Sequence, residues 1–337
     1  MFLRLFNSKS VYSAILIPIV AFLFWMEPLR EPAAFVVNPG EGMMPLFIFF
    51  NKFLSGSLFM PVLTGFILVL LNALILSMLS YEFQFLQHRT FLPGIIYVST
   101  VSAFPSLQSF HAVYPATLFV LLAVYYIFST YHRKNEISST FNASFLLSIG
   151  ALFYLPVVTL FPLIWISIFV LQKNDNWRLL VIPLIGITLP WLLLWSFLFV
   201  SGSDQAIIAS IMEGIKSVNN HFISDVGFLV ITAFIFLLSA FGSISLVNSV
   251  SLRKMSTRKY FIILYWMLGL SIPSVFLFPS TGLGIIAILT ISVSFLIAHF
   301  FMAGRRGFWR EFLFFLFLAT LVAHHLSLFE KARTFVW

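Results

Sequence analysis

ASFLLSIGALFYLPVVTLFPLIWISIFVLQ, residues 143–172, is the stretch that decides the path of this chain. It carries no charge from end to end. As one straight helix it would be about 45 Å long, against a bilayer hydrocarbon core of about 30 Å. As two spans it is short, and Pro156 and Pro162 interrupt it. Whether it crosses once or twice sets the side of every loop that follows.

Lipid as the solvent follows from composition. Hydrophobic residues make up 61% of the 337 and charged residues 9%, with a mean hydropathy of +1.04. Soluble domains run near 45–50% apolar and about 25% charged. A water-soluble fold of this size could not bury so much apolar surface. The 43 phenylalanines suit the same solvent, since their rings carry no polar atom to satisfy in hydrocarbon. Cysteine is absent, which excludes disulfides and thiolate metal sites. The net charge of +8 does not point to nucleic acid, because the basic residues sit between apolar runs and read as topology signals.

Breaks in hydropathy give eleven apolar segments, near 11–26, 59–80, 91–105, 112–130, 143–155, 157–172, 179–200, 226–249, 260–278, 282–302 and 311–328. Charge placement arbitrates the hairpin. With the N-terminus inside, Arg4, Lys9, Arg89, Arg133, Lys134, Lys173, Arg178, Arg253, Lys254, Arg258, Lys259, Arg305, Arg306 and Arg310 fall inside. Arg30, Lys52, Lys216, Lys331 and Arg333 fall outside, so the 19 basic residues divide fourteen against five. That is the bias of the positive-inside rule. A single span at 143–172 would invert every later cluster. The sequence therefore predicts an all-α, polytopic transmembrane bundle of about eleven segments, several of them short or re-entrant, N-in and C-out. It forms a single integral membrane domain over 1–337. The first apolar run is followed by Glu27-Pro28-Leu29-Arg30 rather than a small-x-small cleavage site, so it is expected to stay as a signal-anchor helix.

Two outer loops are long, 27–58 and 201–225. Pro45 to Leu54 is apolar enough to lie on the membrane surface. Residues 204–216 place Ile207, Ile208, Ile211, Met212 and Ile215 at helical spacing opposite Asp204, Ser210, Glu213 and Lys216, the pattern of an interfacial amphipathic helix. Pro93, Pro105, Pro156, Pro162, Pro183, Pro190, Pro273 and Pro279 lie in or beside spans, where each frees backbone that its surroundings must satisfy. Trp177 with Arg178, and Trp309 with Arg310, are expected at headgroup depth on the inner side.

Charge inside the hydrocarbon is nearly missing, which argues against a proton relay or ion-coupled pump. The search for chemistry moves to the outer rim. Glu27 ends the first span and Glu31 lies one turn later, giving two candidate catalytic carboxylates. A carboxylate within reach of an acceptor hydroxyl can serve as its base. A phosphate-bearing lipid would need cationic or hydrogen-bonding partners on the same face, and Arg30, His111 and His221 are the candidates. No metal site and no cofactor are expected. His324 and His325 are about 100° apart on one helix, and His299 belongs near the opposite end of its own.

Arg89-Thr-Phe-Leu-Pro93, Phe141-Asn142-Ala143 and Asn176-Trp-Arg178, followed by Gly186 and Pro190, together resemble a family of multi-pass inner-membrane proteins common in Bacteroidota, a domain of unknown function. The resemblance covers most of the chain and implies a bacterial inner (cytoplasmic) membrane. It supplies no catalytic residues. Separately, carboxylates just outside the first helix, followed by a surface-lying segment, resemble the architecture of GT-C type membrane glycosyltransferases. That likeness implies sugar transfer from a polyprenyl-phosphate carrier in envelope biogenesis, with an acid of the first outer loop as base. The rival expectations are a non-catalytic subunit or scaffold of an envelope complex and, third, a transporter. The expected partners are membrane lipids, the polyprenyl-phosphate carrier or other envelope membrane proteins.

Overall fold

The computed structural model describes residues 12–32, 44–86, 90–131, 136–171, 176–202, 226–249, 254–278, 283–302 and 308–334. Among them the structure is helical throughout. The helices are α1 (Tyr12–Arg30), α2 (Pro45–Leu54), α3 (Phe59–Glu82), α4 (Leu92–Ser102), α5 (Val113–Ser129) and α6 (Glu136–Phe153), then α7 (Pro162–Leu171), α8 (Trp177–Ser201), α9 (Val226–Ser249), α10 (Met255–Leu277), α11 (Ile285–Met302) and α12 (Phe308–Thr334). Each of the eleven apolar segments coincides with one helix, and α2 covers the stretch expected at the membrane surface. Six stretches are long and apolar enough to cross a bilayer: α3, α8, Val230–Val247 of α9, α10, α11 and Phe308–Leu326 of α12.

The decisive stretch is a hairpin. Tyr154 is extended, Leu155–Leu160 forms a 3-10 turn with Pro156 near its start, and Pro162 opens α7. Lys259 establishes the return. Its Nζ lies 5.3 Å from the centre of the Tyr131 ring, shortly before α6, and donates to the carbonyl of Leu171, the last residue of α7, at 3.3 Å. The chain therefore leaves and comes back to one end of the bundle. At the far end Phe153 meets Phe50 of α2, with ring centres 5.5 Å apart. Helix α6 begins at Glu136, seven residues before the apolar run. Its first turn is polar, with the Thr140 hydroxyl donating to the Glu136 carbonyl.

Other cross-contacts join the ends that this alternation demands. Tyr125 near the end of α5 donates to Glu82 at the end of α3, and Lys254 before α10 donates to Gln84 just after α3. Arg178, Lys254, Arg258, Lys259 and Arg310 lie at this end, with exposed Trp177, Phe308 and Trp309 beside them. Arg30 and Lys52 lie at the other. The expected amphipathic helix at 204–216 falls outside the described residues.

Helices α4 and α11 form the centre. Every residue of α4 is buried, and α11 is buried over 78% of its length against 22% for the most apolar 18 residues of α8, which packs mainly on the 136–171 hairpin. At 11 residues α4 reaches about 16 Å, half a hydrocarbon thickness. It nests against α1, α3 and α11. Gly94 allows this approach, because a Cβ there would sit 2.5 Å from the Ala73 carbonyl oxygen. Helix α8 shows how prolines are accommodated. Pro183 and Pro190 supply no N–H to the carbonyls four residues back and splay the turn. One residue past each freed carbonyl a side-chain donor ties the helix to the hairpin, with Leu180 accepting from Trp165 Nε1 at 3.1 Å and Ile187 from Ser148 Oγ at 2.6 Å.

Candidate functional site at the Glu27 end

Helix α4 stops inside the bundle, so its last carbonyls need partners that water would otherwise supply. Helix α1 has a related need. Pro28 has no N–H, which leaves the Phe24 carbonyl without its helical partner. Gln108 meets both demands. Its Nε2 donates to the Phe24 carbonyl at 2.9 Å and to the Ser102 carbonyl at 2.8 Å, clamping the ends of α1 and α4 together. Trp25 Nε1 donates to the Ser102 hydroxyl at 2.9 Å, and His325 of α12 donates to the Ala103 carbonyl. The two adjacent histidines part company. His325 packs edge-on against Phe24 of α1, while His324 packs against Phe104. His299 sits against Phe261 toward the other end of the bundle. Among the described residues no three potential metal ligands come together.

Loop 103–112 is the hub of this end. Phe110 stacks on Phe47 of α2 at 5.4 Å, and the Ser109 backbone lies where a side chain on Gly65 of α3 would be. The Tyr114 hydroxyl donates to the Leu107 carbonyl. One loop therefore fixes α1, α2, α3 and the starts of α4's cap and α5.

The candidate residues are placed as follows. Glu27 is half-buried in the last turn of α1, two residues beyond Trp25, and Glu31 is exposed just past the helix end. Their backbones are one turn apart, with the Glu31 N–H on the Glu27 carbonyl at 2.9 Å. The Arg30 side chain is exposed, rotated about 60° further from the core than Glu27. His111 is buried within its own loop, its Nε2 2.8 Å from the Ser106 carbonyl oxygen and 3.2 Å from the Ser109 hydroxyl. His221 lies outside the described residues. The structure thus sets the two carboxylates along one edge of α1, turns Arg30 outward, and holds His111 under the surface.

Sequence reading missed Trp25, Ser102 and Gln108. One signal was present: Phe24-x-x-x-Pro28 frees a carbonyl, and a segment as short as 91–105 ends in hydrocarbon, so a nearby polar side chain must serve both. Helix α2 completes the rim. Phe47 is buried, while Ile48, Phe49, Phe50 and Phe53 are exposed beside Lys52. Helix α2 thus presents an apolar exposed surface with one cation on it. No protein-family model, no curated protein and no solved structure matches the chain.

Proposed function

We propose that this multi-pass membrane protein is an enzyme of lipid-linked sugar transfer, working in the cytoplasmic membrane of a bacterium. Its basic end faces the cytoplasm and its Glu27 end faces outward. The single observation that supports this reading is the company Glu27 keeps. A half-buried carboxylate stands in the last turn of the first apolar helix, and loop 103–112 ties that helix to the exposed phenylalanines of α2. A polyprenyl carrier approaches such a rim from the lipid side and a soluble acceptor from the aqueous side. Glu27 then takes the acceptor proton as the hydroxyl attacks the sugar's anomeric carbon, the bond from that carbon to the phosphate oxygen breaks, and polyprenyl phosphate leaves with the electron pair, while Glu31 orients the acceptor. Arg30, His111 and His221 are the groups assigned to the carrier phosphate.

The experiment is transfer of labelled sugar from a polyprenyl-phosphate donor in proteoliposomes. Glu27→Gln should lower turnover by at least about 100-fold with insertion unchanged. Wild-type rates for both Glu27→Gln and Glu31→Gln end the proposal, and with a partner retained on gentle extraction they favour an envelope-complex subunit instead. Sidedness has its own measurement: a reporter fused at residue 175 is cytoplasmic and one at residue 215 is external. The reverse pattern overturns the orientation.

A further inference from the structure

At the basic end Lys259 holds its charge without a counter-charge. It stands about one turn inside the apolar stretch of α10 and is half-buried. Its Nζ lies 5.3 Å from the centre of the Tyr131 ring and donates to the Leu171 carbonyl at 3.3 Å. Among the described residues those two neutral groups are its partners, and no carboxylate pairs with it. A lysine ammonium has three N–H donors, so a single carbonyl leaves donors over. Lys254 repeats the pattern at the start of the same helix, donating to the neutral Gln84 Oε1 at 2.7 Å. Glu82, the acid at the end of α3, takes the Tyr125 hydroxyl at 3.3 Å.

Helices that start at this end follow two patterns. Helices α6 and α12 carry an acid in the first turn, Glu136 and Glu311, as the positive end of a helix dipole favours. Helices α8 and α10 carry none there and open with cations, Arg178 in one and Lys254, Arg258 and Lys259 in the other. Both pack on α7, whose last carbonyl accepts from Lys259. Cations set on dipole ends of their own sign raise the local potential, and an external anion relieves it. The position suits a lipid. A lysine stem lies along apolar surface while its head reaches the headgroup layer, and exposed Trp177 beside Arg178 suits the same depth.

We propose that Lys259 is the centre of a binding site for the headgroup phosphate of an anionic phospholipid, with Lys254 and Arg178 as outlying cations. The phosphate oxygens accept the N–H groups that Leu171 leaves over, while the Tyr131 ring and the Leu171 carbonyl hold the ammonium in place. A lipid is favoured over a free anion because the ammonium stands within an apolar stretch, where acyl chains have a surface to follow. The site lies at the opposite end from Glu27 and does not depend on the activity proposed there.

The test compares lipids in mixed micelles of the purified full-length protein. Phosphatidylglycerol should raise the wild-type Tm by about 3 °C or more beyond the same amount of phosphatidylcholine, because a ligand of the folded state stabilises it. Lys259→Met should lose at least half of that difference, and Lys259→Arg, which keeps the charge, should retain most of it. Lys52→Gln, at the other end of the bundle, should retain all of it. Equal shifts from the two lipids in wild type overturn the proposal, as does a full difference in Lys259→Met. Inorganic phosphate at the same concentration should leave the Tm unchanged; if it reproduces the shift, the site takes a free anion and the lipid assignment falls. Native mass spectrometry of wild type gives a readout that needs no variant. Bound phosphatidylglycerol should survive activation that strips phosphatidylcholine, and equal retention overturns the proposal.

Discussion

The two ends of the bundle interior solve the same packing problem with opposite chemistry. At the basic end Phe85 is fully buried, with ring centres of Phe128, Tyr260, Phe261 and Phe295 at 5.3, 5.8, 5.2 and 4.6 Å. Phe83 joins Tyr125, Phe128 and Tyr260 beside it. Those rings come from α5, α10 and α11, so one aromatic knot ties three helices mainly by ring packing, with the Tyr260 hydroxyl donating to the Phe128 carbonyl at 3.3 Å. At the Glu27 end the closure is directional: Gln108, Trp25 and His325 each satisfy a named atom of α1 or α4. The difference follows from the backbone. The helices that end beside the knot, α3 at Glu82 and α5 at Ser129, end where the bundle itself ends, whereas α4 stops short inside it and Pro28 strips a donor from α1. A backbone broken within the bundle requires polar caps, and ring packing carries most of the contact where it is not.

Four substitutions measure that contrast by thermal or denaturant unfolding in detergent. Phe85→Ala opens the knot and is expected to cost about 3–5 kcal/mol, the usual range for a buried phenylalanine. If it costs under about 1 kcal/mol, the knot is not what holds that end. Gln108→Leu strands two buried carbonyls and should cost about 2–4 kcal/mol, despite keeping an apolar body in place. A loss close to zero would mean that α1 and α4 are clamped by something else. Trp25→Phe removes one hydrogen bond while leaving the ring packed, at about 1 kcal/mol. Lys259→Met, at the half-exposed rim of the knot, should change stability by less than about 1 kcal/mol. If Lys259→Met proves worse than Phe85→Ala, the proposed division between stacking and directional closure is reversed.

Much of the fold was legible because its governing signals are local. Charge parity across 143–172 required a hairpin, and Lys259 shows it by touching both Tyr131 and Leu171. The helix at Pro45–Leu54 was readable from its own composition. What escaped depends on pairs far apart in sequence. Gln108 and Phe24 are 84 residues apart, and Trp25 and Ser102 are 77 apart, so neither cap announces itself in any window. Helix α6 begins seven residues before the apolar run because hydropathy marks apolar residues alone, and Glu136 to Asn142 brings polar ones into the same helix. At the candidate site the edge shared by Glu27 and Glu31 was visible from their spacing of four. The outward turn of Arg30 and the burial of His111 were not, since both depend on where the core lies around α1 and how loop 103–112 folds under itself.

The burial of α4 has a consequence for how the protein is made. Its walls come from α1 and α3, synthesised before it, and from α11, at residues 285–302. A half-length helix cannot settle as an independent crossing when it leaves the ribosome. It must wait, held by its neighbours on one side and lipid or insertion machinery on the other, until most of the chain exists. Its final seating is therefore a late step of biogenesis, and a chain truncated before α11 would insert its early helices yet leave its centre open.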